Sequence, residues 1–437
     1  MRFYSTNHEA PAATLSQAIE RGIAPDGGLY LPQEIIPLPI PFFRNIAEMP
    51  ATDIAYVVAN TFLAEDFEPE TVRAIVNSAL SFPMPMLQLD GTHIATMELF
   101  HGPTKSVKDI GAQFMASLLR TIRGNNATPV NIIAATSGDA GSAVASAFHS
   151  LPGVHVTILY PKGRLTYQQR QSFVSLGPDV TPVEVRGSFD DCLALARNAT
   201  LDPDLAGHVR TITANSINIA RFLPQTFHFF NAFARMVEAG ADPDQIVVAV
   251  PSGNLGNLAA ALLARRMGLP LKRIVAATNA NDAFTRYLTT GILEKRPEVA
   301  THANAMDTSA PANLPRVAEL IPPDPVALTA YSISDEEILQ AISDVYNKYG
   351  YVTDPHAACA YTALCRSLQP GEHGIFMATA DASKCRDVIN RAIPSLARQE
   401  APPARPQHRN VQPHTIPATY QSLKTIILQT NEQQTHP

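Results

Sequence analysis

The sequence predicts an α/β protein built on parallel sheets covered by helices. From about residue 130 onward, short apolar runs alternate with segments of helical period. Several of those runs are apolar on both faces, the pattern of strands buried between two layers of helix. The runs end in Gly, Ser, Thr or Asn, which turn a strand toward the element that follows.

Taken in chain order, residues 1–90 are rich in proline and in short helical patterns. The turn Pro25-Asp26-Gly27-Gly28 there precedes Leu29-Tyr30-Leu31-Pro32, and the stretch predicts an N-terminal subdomain with little regular sheet. Strands are expected at 131–135, 154–160, 181–185, 209–213, 245–250, 272–277 and 374–378. Covering helices are expected at 140–148, 167–175, 189–198, 217–239 and 258–267, where apolar residues recur near i, i+3 and i+4. Residues 296–330 are again proline-rich and irregular, and loops of that length inside a compact domain are usually functional. Residues 401–414 read as a tether and 418–428 as a short amphipathic helix that docks beyond it.

At 437 residues the chain is too long for one small module, because single cores stop growing at roughly 250–300 residues. Its 46% hydrophobic and 16% charged residues exclude disorder throughout. A net charge of -6, with no basic run interleaved with aromatics, argues against a nucleic-acid partner. The start lacks the apolar stretch of a secretory signal, and no segment has the ~20 consecutive apolar residues of a membrane span, so a cytoplasmic protein is expected. The four cysteines, Cys192, Cys359, Cys365 and Cys385, are scattered without metal-ligand spacing and read as reduced thiols.

Three segments carry chemistry. In the first, Phe100-His101-Gly102-Pro103-Thr104-Lys105-Ser106-Val107-Lys108, a Gly-Pro turn delivers Lys108 to the first turn of a helix. The positive end of the helix dipole and a neighbouring Lys105 both disfavour an ammonium there, which keeps a nucleophilic amine able to form a Schiff base. Taken by itself, the segment fits two merely solvated cations better. It is not a phosphate-binding P-loop, since the glycine pattern before Lys105-Ser106 is missing.

The second segment, Thr136-Ser137-Gly138-Asp139-Ala140-Gly141-Ser142, joins a strand end to a helix start. Exposed N–H groups and hydroxyls there suit a carboxylate or a phosphate. The alternative is a helix simply capped by Ser137 or Asp139. The third, Ser252-Gly253-Asn254-Leu255-Gly256-Asn257, again runs from an apolar strand into an alanine-rich helix, and its glycines would let the backbone approach a phosphate closely. Its G-x-x-G spacing fits a dinucleotide fingerprint poorly.

In this order and with these separations, the three segments resemble the Schiff-base lysine motif, the substrate loop and the cofactor-phosphate loop of the threonine synthase family, fold-type-II pyridoxal-phosphate (PLP) enzymes of tryptophan synthase beta-like fold. Asp26-Gly27-Gly28-Leu29-Tyr30-Leu31-Pro32, Tyr160-Pro161-Lys162-Gly163, Ala214-Asn215-Ser216-Ile217-Asn218, Ala277-Thr278-Asn279-Ala280-Asn281-Asp282 and Asn304-Ala305-Met306-Asp307 are similar to further segments of that family, as is the closing stretch near 414–428.

The resemblance implies two parallel-sheet three-layer domains plus the N-terminal subdomain: 1–90 as the subdomain, 91–124 and 226–400 as a large PLP-binding domain, 125–225 as a small domain with the substrate loop, and 401–437 as tether and helix. It implies that Lys108 is catalytic and holds PLP. Ser252, Gly253, Asn254, Leu255, Gly256 and Asn257 would cradle the cofactor phosphate, Asp139 would face the ring's phenolic oxygen, and the Thr379 hydroxyl would face its pyridine nitrogen. Thr136, Ser137, Gly138, Ala140 and Ser142 would bind the substrate carboxylate. For the substrate's phosphate the candidates are Lys105, Lys162, Ser142, Asn304 and Arg316, although the two lysines and Arg316 read equally well as solvated surface cations.

Two stretches depart from the family pattern. Lys105-Ser106-Val107 stands where an apolar pair and an aromatic are common, and Asp381-Ala382-Ser383-Lys384-Cys385 follows Thr379-Ala380 where His-Pro-Ala-Lys-Phe is common. An extra cation and an extra carboxylate are thereby expected near the site. The implied reaction takes O-phosphohomoserine and water to threonine and phosphate, in a monomer or homodimer. A threonine or serine dehydratase, a phospho-lyase, and a catalytically silent relative are the alternatives.

Overall fold

The computed structural model describes residues 1–124, 128–165, 167–294, 296–397 and 412–435. The chain forms two compact units. One comprises residues 1–33, 108–222 and 406–437, the other residues 34–107 and 223–405. The expected boundaries lay at 90, 124, 225 and 400. The N-terminal stretch divides because its two parts find different supports. In the first unit, Asn218 Nδ2 donates to the Ile19 carbonyl at 2.8 Å, and Arg197 Nη2 donates to that of Gly27 at 3.3 Å. In the second, Arg235 Nη2 donates to the carbonyls of Ala47 and Met49 at 3.1 and 2.9 Å, and Phe42 packs edge-on against Phe230.

The first unit is built on a five-stranded, all-parallel sheet in the order His414–Pro417, Val180–Arg186, Val154–Pro161, Val130–Ala135, Arg210–Thr213. Every residue of Val154–Pro161 and Val130–Ala135 is buried, as a parallel strand with helices on both faces requires. On one face, Ile133, Leu159 and Val183 meet Cys192 and Leu195 of helix Phe189–Leu201 and Leu423 of helix Tyr420–Thr435. On the other, helix Asp139–Phe148 comes so close that a Cβ on Gly141 would lie 2.9 Å from Ile158 Cγ2. The C-terminal segment thus adds an edge strand as well as the expected helix, and Lys424 fastens that helix to Asp202 at 2.7 Å. Most of the expected tether falls outside the described residues.

A small antiparallel sheet joins Ala13–Thr14, Arg2–Ser5 and Tyr30–Pro32 in this unit, three short strands in a stretch expected to hold little regular sheet. The Asp26 carboxylate pins it by accepting from Ser5 Oγ and from the N–H groups of Ala10 and Gly28 at 2.7–2.9 Å.

The second unit has six strands, in the order Leu328–Ser332, Arg273–Thr278, Ile246–Pro251, His373–Ala378, Ile94–Glu98, Met86–Gln88, all parallel except the last pair. Alanines on helix Pro355–Ser367 pack against Val247, Ala249 and Val275 on one face of this sheet. The single helix expected over 217–239 is broken into Ile219–Phe222, a 3-10 turn Leu223–Thr226 and Phe227–Glu238. Pro224 is the cause, because it has no N–H to donate and its ring crowds the preceding turn.

Candidate active site

In the first unit the chemistry gathers at the carboxyl edge of the parallel sheet. Strand Val130–Ala135 lies between Val154–Pro161 and Arg210–Thr213, and the strand order reverses there; ligands of open α/β sheets bind at such a reversal. Asn215 spans it, its Oδ1 accepting from Ala135 N–H at 2.9 Å and its Nδ2 donating to the Ala135 carbonyl at 2.7 Å. The loop of Thr136, Ser137 and Gly138 leads from this strand into helix Asp139–Phe148, whose N-cap is Gly138. Neither Ser137 nor Asp139 is the cap, since Gly138 holds that position and no side-chain cap hydrogen bond forms among the described residues. Thr136 instead folds back on the loop, its Oγ1 donating to the Gly138 carbonyl at 2.8 Å and accepting from Gly138 N–H at 3.1 Å. Ser142 is bonded to Ser172, whose hydroxyl donates to the Gln169 carbonyl at 2.6 Å.

Lys108 opens the 16-residue helix Lys108–Arg123. The residue is half-buried, and desolvation is the largest cause that pushes its pKa below the usual lysine value. The Arg221 guanidinium pushes it down further, and the Asp139 carboxylate opposes both. Sequence reasoning named Lys105 as the repelling cation; the structure supplies Arg221, which no motif had singled out. Arg221 is buried, donates to the carbonyls of Ala214 and Lys108, and has its own pKa lowered to about 10 by burial against the pull of Asp109. Gly111 makes room for it, since a Cβ there would lie 2.8 Å from the Arg221 carbonyl oxygen. The signal for Arg221 lay just past the end of the Ala214-to-Asn218 motif, but its partner is 113 residues away in sequence.

In the second unit the strand order reverses between Ile246–Pro251 and His373–Ala378. Ser252 to Asn257 follow the first of these strands and Thr379 follows the second, so one switch point holds both candidate groups. Ser252 Oγ donates to the Val250 carbonyl at 2.8 Å. Leu255 sits in the left-handed region at φ 61° and leads into helix Gly256–Arg266 without a side-chain cap. Asn257 Oδ1 bonds His228 Nε2 at 2.8 Å, while its buried Nδ2 meets no acceptor among the described residues. Gly253 is glycine for a reason the sequence did not reveal: a Cβ there would lie 2.5 Å from Met306 Cα and 2.9 Å from the Met306 carbonyl oxygen.

The candidates for a substrate phosphate separate into kinds. Lys105 and Lys162 are exposed, 3.8 Å from Asp381 and 3.7 Å from Glu184 respectively, matching their reading as surface cations. Asn304 is half-buried at the start of the 3-10 turn Asn304–Met306. Arg316 is wholly buried, contrary to a solvated surface role, and burial lowers its pKa to about 9. The same turn is anchored by Asp307, whose carboxylate accepts from Asn279, Asn281 and Thr301.

Residues 82–379 match the family described as pyridoxal-phosphate dependent enzyme, and residues 2–80 match the threonine synthase N terminus. A threonine synthase of Haemophilus influenzae is 39% identical over 396 residues, spanning 90% of this chain and 91% of its own length. The chain belongs to the threonine synthase family. The crystal structure of threonine synthase from Escherichia coli matches with a TM-score of 0.91 at 34% identity, covering 98% of this chain and all of that one. The PLP-bound threonine synthase from Brucella melitensis matches at 0.86 and 27% identity, over 99% of each chain.

Set against the threonine synthase pattern, the two unusual stretches of this chain meet each other. Val107 N–H donates to the Thr379 carbonyl at 2.9 Å and Asp381 N–H to that of Lys105 at 3.2 Å, while Lys384 Nζ donates to the Thr104 carbonyl at 2.7 Å. The extra cation, Lys105, and the extra carboxylate, Asp381, therefore oppose one another across this clasp, 3.8 Å apart. An exposed pair of this kind contributes only ~0–1 kcal/mol.

The contact at Gly253 makes a definite prediction. Gly253→Ala should destabilise the cofactor-free protein itself by about 1–3 kcal/mol, because the Met306 backbone must move. Thermal unfolding of the apoprotein checks this. An unchanged midpoint combined with weakened cofactor uptake would mean that the glycine only clears a path for phosphate.

Proposed function

We propose that this protein is a cytoplasmic threonine synthase, converting O-phosphohomoserine and water to threonine and phosphate with PLP carried on Lys108. The observation that carries the reading is the extent of the match. It runs through residues 2–80, described as threonine synthase N terminus, as well as through the PLP-enzyme region 82–379.

The residues present suit the cofactor. Asn257 Nδ2, a buried donor without a protein acceptor among the described residues, stands at the N-terminus of helix Gly256–Arg266, where a helix dipole favours a phosphate. Ser252 to Asn257 would hold that group, Asp139 would orient the phenolic oxygen, and Thr379 would face the pyridine nitrogen with a hydroxyl. When bound, PLP supplies an electron sink for charge developing on the substrate carbons. The uncapped N-terminus of helix Asp139–Phe148 suits the substrate carboxylate, bound by Thr136, Ser137, Gly138, Ala140 and Ser142.

Lys108 does the proton work. Loss of phosphate from Cγ and addition of water at Cβ require protons to leave Cα and Cβ and to be delivered to Cγ and Cα, and an amine that desolvation and Arg221 hold below its usual pKa is suited to accept and donate them. Asn304, Lys105 and Lys162 are the groups that would receive the departing phosphate. A monomer or homodimer is proposed.

Lys108→Ala should remove the visible absorbance of bound cofactor and lower turnover by at least about 10²–10⁴-fold, whereas Lys105→Ala should keep the absorbance. The reverse pattern in an absorbance spectrum would reassign the lysine. Given O-phosphohomoserine in ¹⁸O-labelled water, the protein should release phosphate and place the label in the threonine hydroxyl, as read by mass spectrometry. Rapid formation of 2-oxobutyrate from threonine, with the phosphorylated substrate untouched, would make it a dehydratase.

A further inference from the structure

Arg316 was a candidate for the substrate's phosphate, yet its surroundings give it another task. It is wholly buried on the first turn of helix Leu314–Leu320, and its Nη1 donates to Asn313 Oδ1 at 2.9 Å. A guanidinium has donors only, so the Asn313 amide must turn its oxygen toward Arg316 and its NH₂ away. That NH₂ donates to the main-chain oxygen of Asn254 at 3.1 Å, and the N–H of Asn313 reaches the same oxygen at 3.3 Å. The N–H of Ala312 donates to the Asn254 side-chain oxygen. Asn254 is thereby gripped by three donors, while Gly253 beside it rests on the Met306 backbone.

The grip has a directional consequence. A trans peptide is planar, so its C=O and N–H point opposite ways. Holding the Asn254 carbonyl against Asn313 aims the N–H of Leu255 to the other side. Leu255 occupies the left-handed region at φ 61°, a conformation that costs a non-glycine residue free energy and persists only when its surroundings enforce it. Without Arg316, the Asn313 amide loses the donor that fixes which way it faces, and a flip would set its oxygen against the Asn254 oxygen and loosen that peptide plane.

We propose that Arg316 is a positioning residue of the cofactor-phosphate loop, acting through Asn313 on Asn254, and not a contact of the substrate's phosphate. This rests on the reading that Ser252 to Asn257 hold the PLP phosphate. Burial lowers the Arg316 pKa only to about 9, so the side chain keeps its donors throughout the neutral range.

The test titrates four apoproteins, the parent, Arg316→Met, Arg316→Lys and Asn313→Asp, with PLP and separately with pyridoxal, which lacks the phosphate, following absorbance. Asn313→Asp keeps an acceptor for Arg316 but loses the donor to Asn254. Arg316→Met and Asn313→Asp should weaken PLP roughly 10- to 100-fold, the effect of losing one or two buried hydrogen bonds, and leave pyridoxal binding unchanged. Arg316→Lys should fall between them and the parent. At saturating PLP, the KM for O-phosphohomoserine should not change in any variant.

Intact PLP affinity with a raised KM would make Arg316 a substrate contact and overturn the proposal. Equal loss of PLP and pyridoxal binding would overturn it too, by reducing the residue to general support of the fold. If Arg316→Met does not fold, Asn313→Asp and Arg316→Lys decide alone. Asn257→Ala, measured in parallel, separates the two levels. If it leaves the preference for PLP over pyridoxal intact, the loop assignment itself is wrong; if it lowers that preference while the Arg316 and Asn313 variants do not, only the positioning role fails.

Discussion

The chemistry assigned to this protein depends on one amine staying unprotonated. An ordinary lysine is an ammonium at neutral pH and can neither attack a carbonyl nor accept a proton. Two arrangements in the first unit work against that state at Lys108. Close packing takes the amine out of water, and a buried guanidinium, Arg221, stands near enough to repel its charge. Asp139 pulls the other way, which limits the shift without abolishing it. Much of the neighbouring structure serves to hold Arg221: the carbonyls of Ala214 and Lys108 that accept its hydrogen bonds, the Asp109 carboxylate that balances its charge, and a glycine at 111 where any side chain would collide with its backbone.

The two parallel sheets place the remaining groups by the same rule. In each, a strand whose neighbours run in opposite sequence directions opens a crevice at its carboxyl end, and the loops there carry the candidate residues. In the second unit the loop is held from two sides, by Met306 against Gly253 and by Ala312 and Asn313 on Asn254, before it enters helix Gly256–Arg266. A loop that must present N–H groups to a phosphate gains from such fixation, because donors already in place lose little entropy when the anion arrives.

The seven strands expected from apolar runs all formed, within a residue or two, because residues buried on both faces leave an uninterrupted apolar signature. Two strands at the edges of the second sheet lack it. Met86–Gln88 is partly exposed, and Leu328–Ser332 reads as Leu-Thr-Ala-Tyr-Ser, so neither stands out from a loop. Helix Asp335–Tyr349 was within reach of sequence reasoning, since Ser334 and Glu337 form a capping box ahead of Ile338, Ile342 and Val345. The site was legible where a motif is contiguous, as at Lys108, the Thr136 to Ser142 turn and the glycine loop. It was illegible where its parts come from distant segments. Lys105 seemed the natural neighbour of Lys108 because it is three residues away, yet its charge meets Asp381, and the effective cation is Arg221. Arg316 looked like a surface charge in a proline-rich loop, and only the fold shows it inside, behind Asn313.

The depressed pKa of Lys108 is the claim on which the mechanism stands, and the pH dependence of cofactor capture tests it most directly. The neutral amine is the reacting form, so the rate at which the apoprotein takes up PLP and develops the visible absorbance should rise with pH and level off as Lys108 deprotonates. Because its folded-state pKa lies below the ordinary lysine value of 10.5, the rise should reach its midpoint below that pH. A midpoint at or above 10.5 would mean that neither burial nor Arg221 disfavours the ammonium, and the account of Lys108 as a ready base would be contradicted.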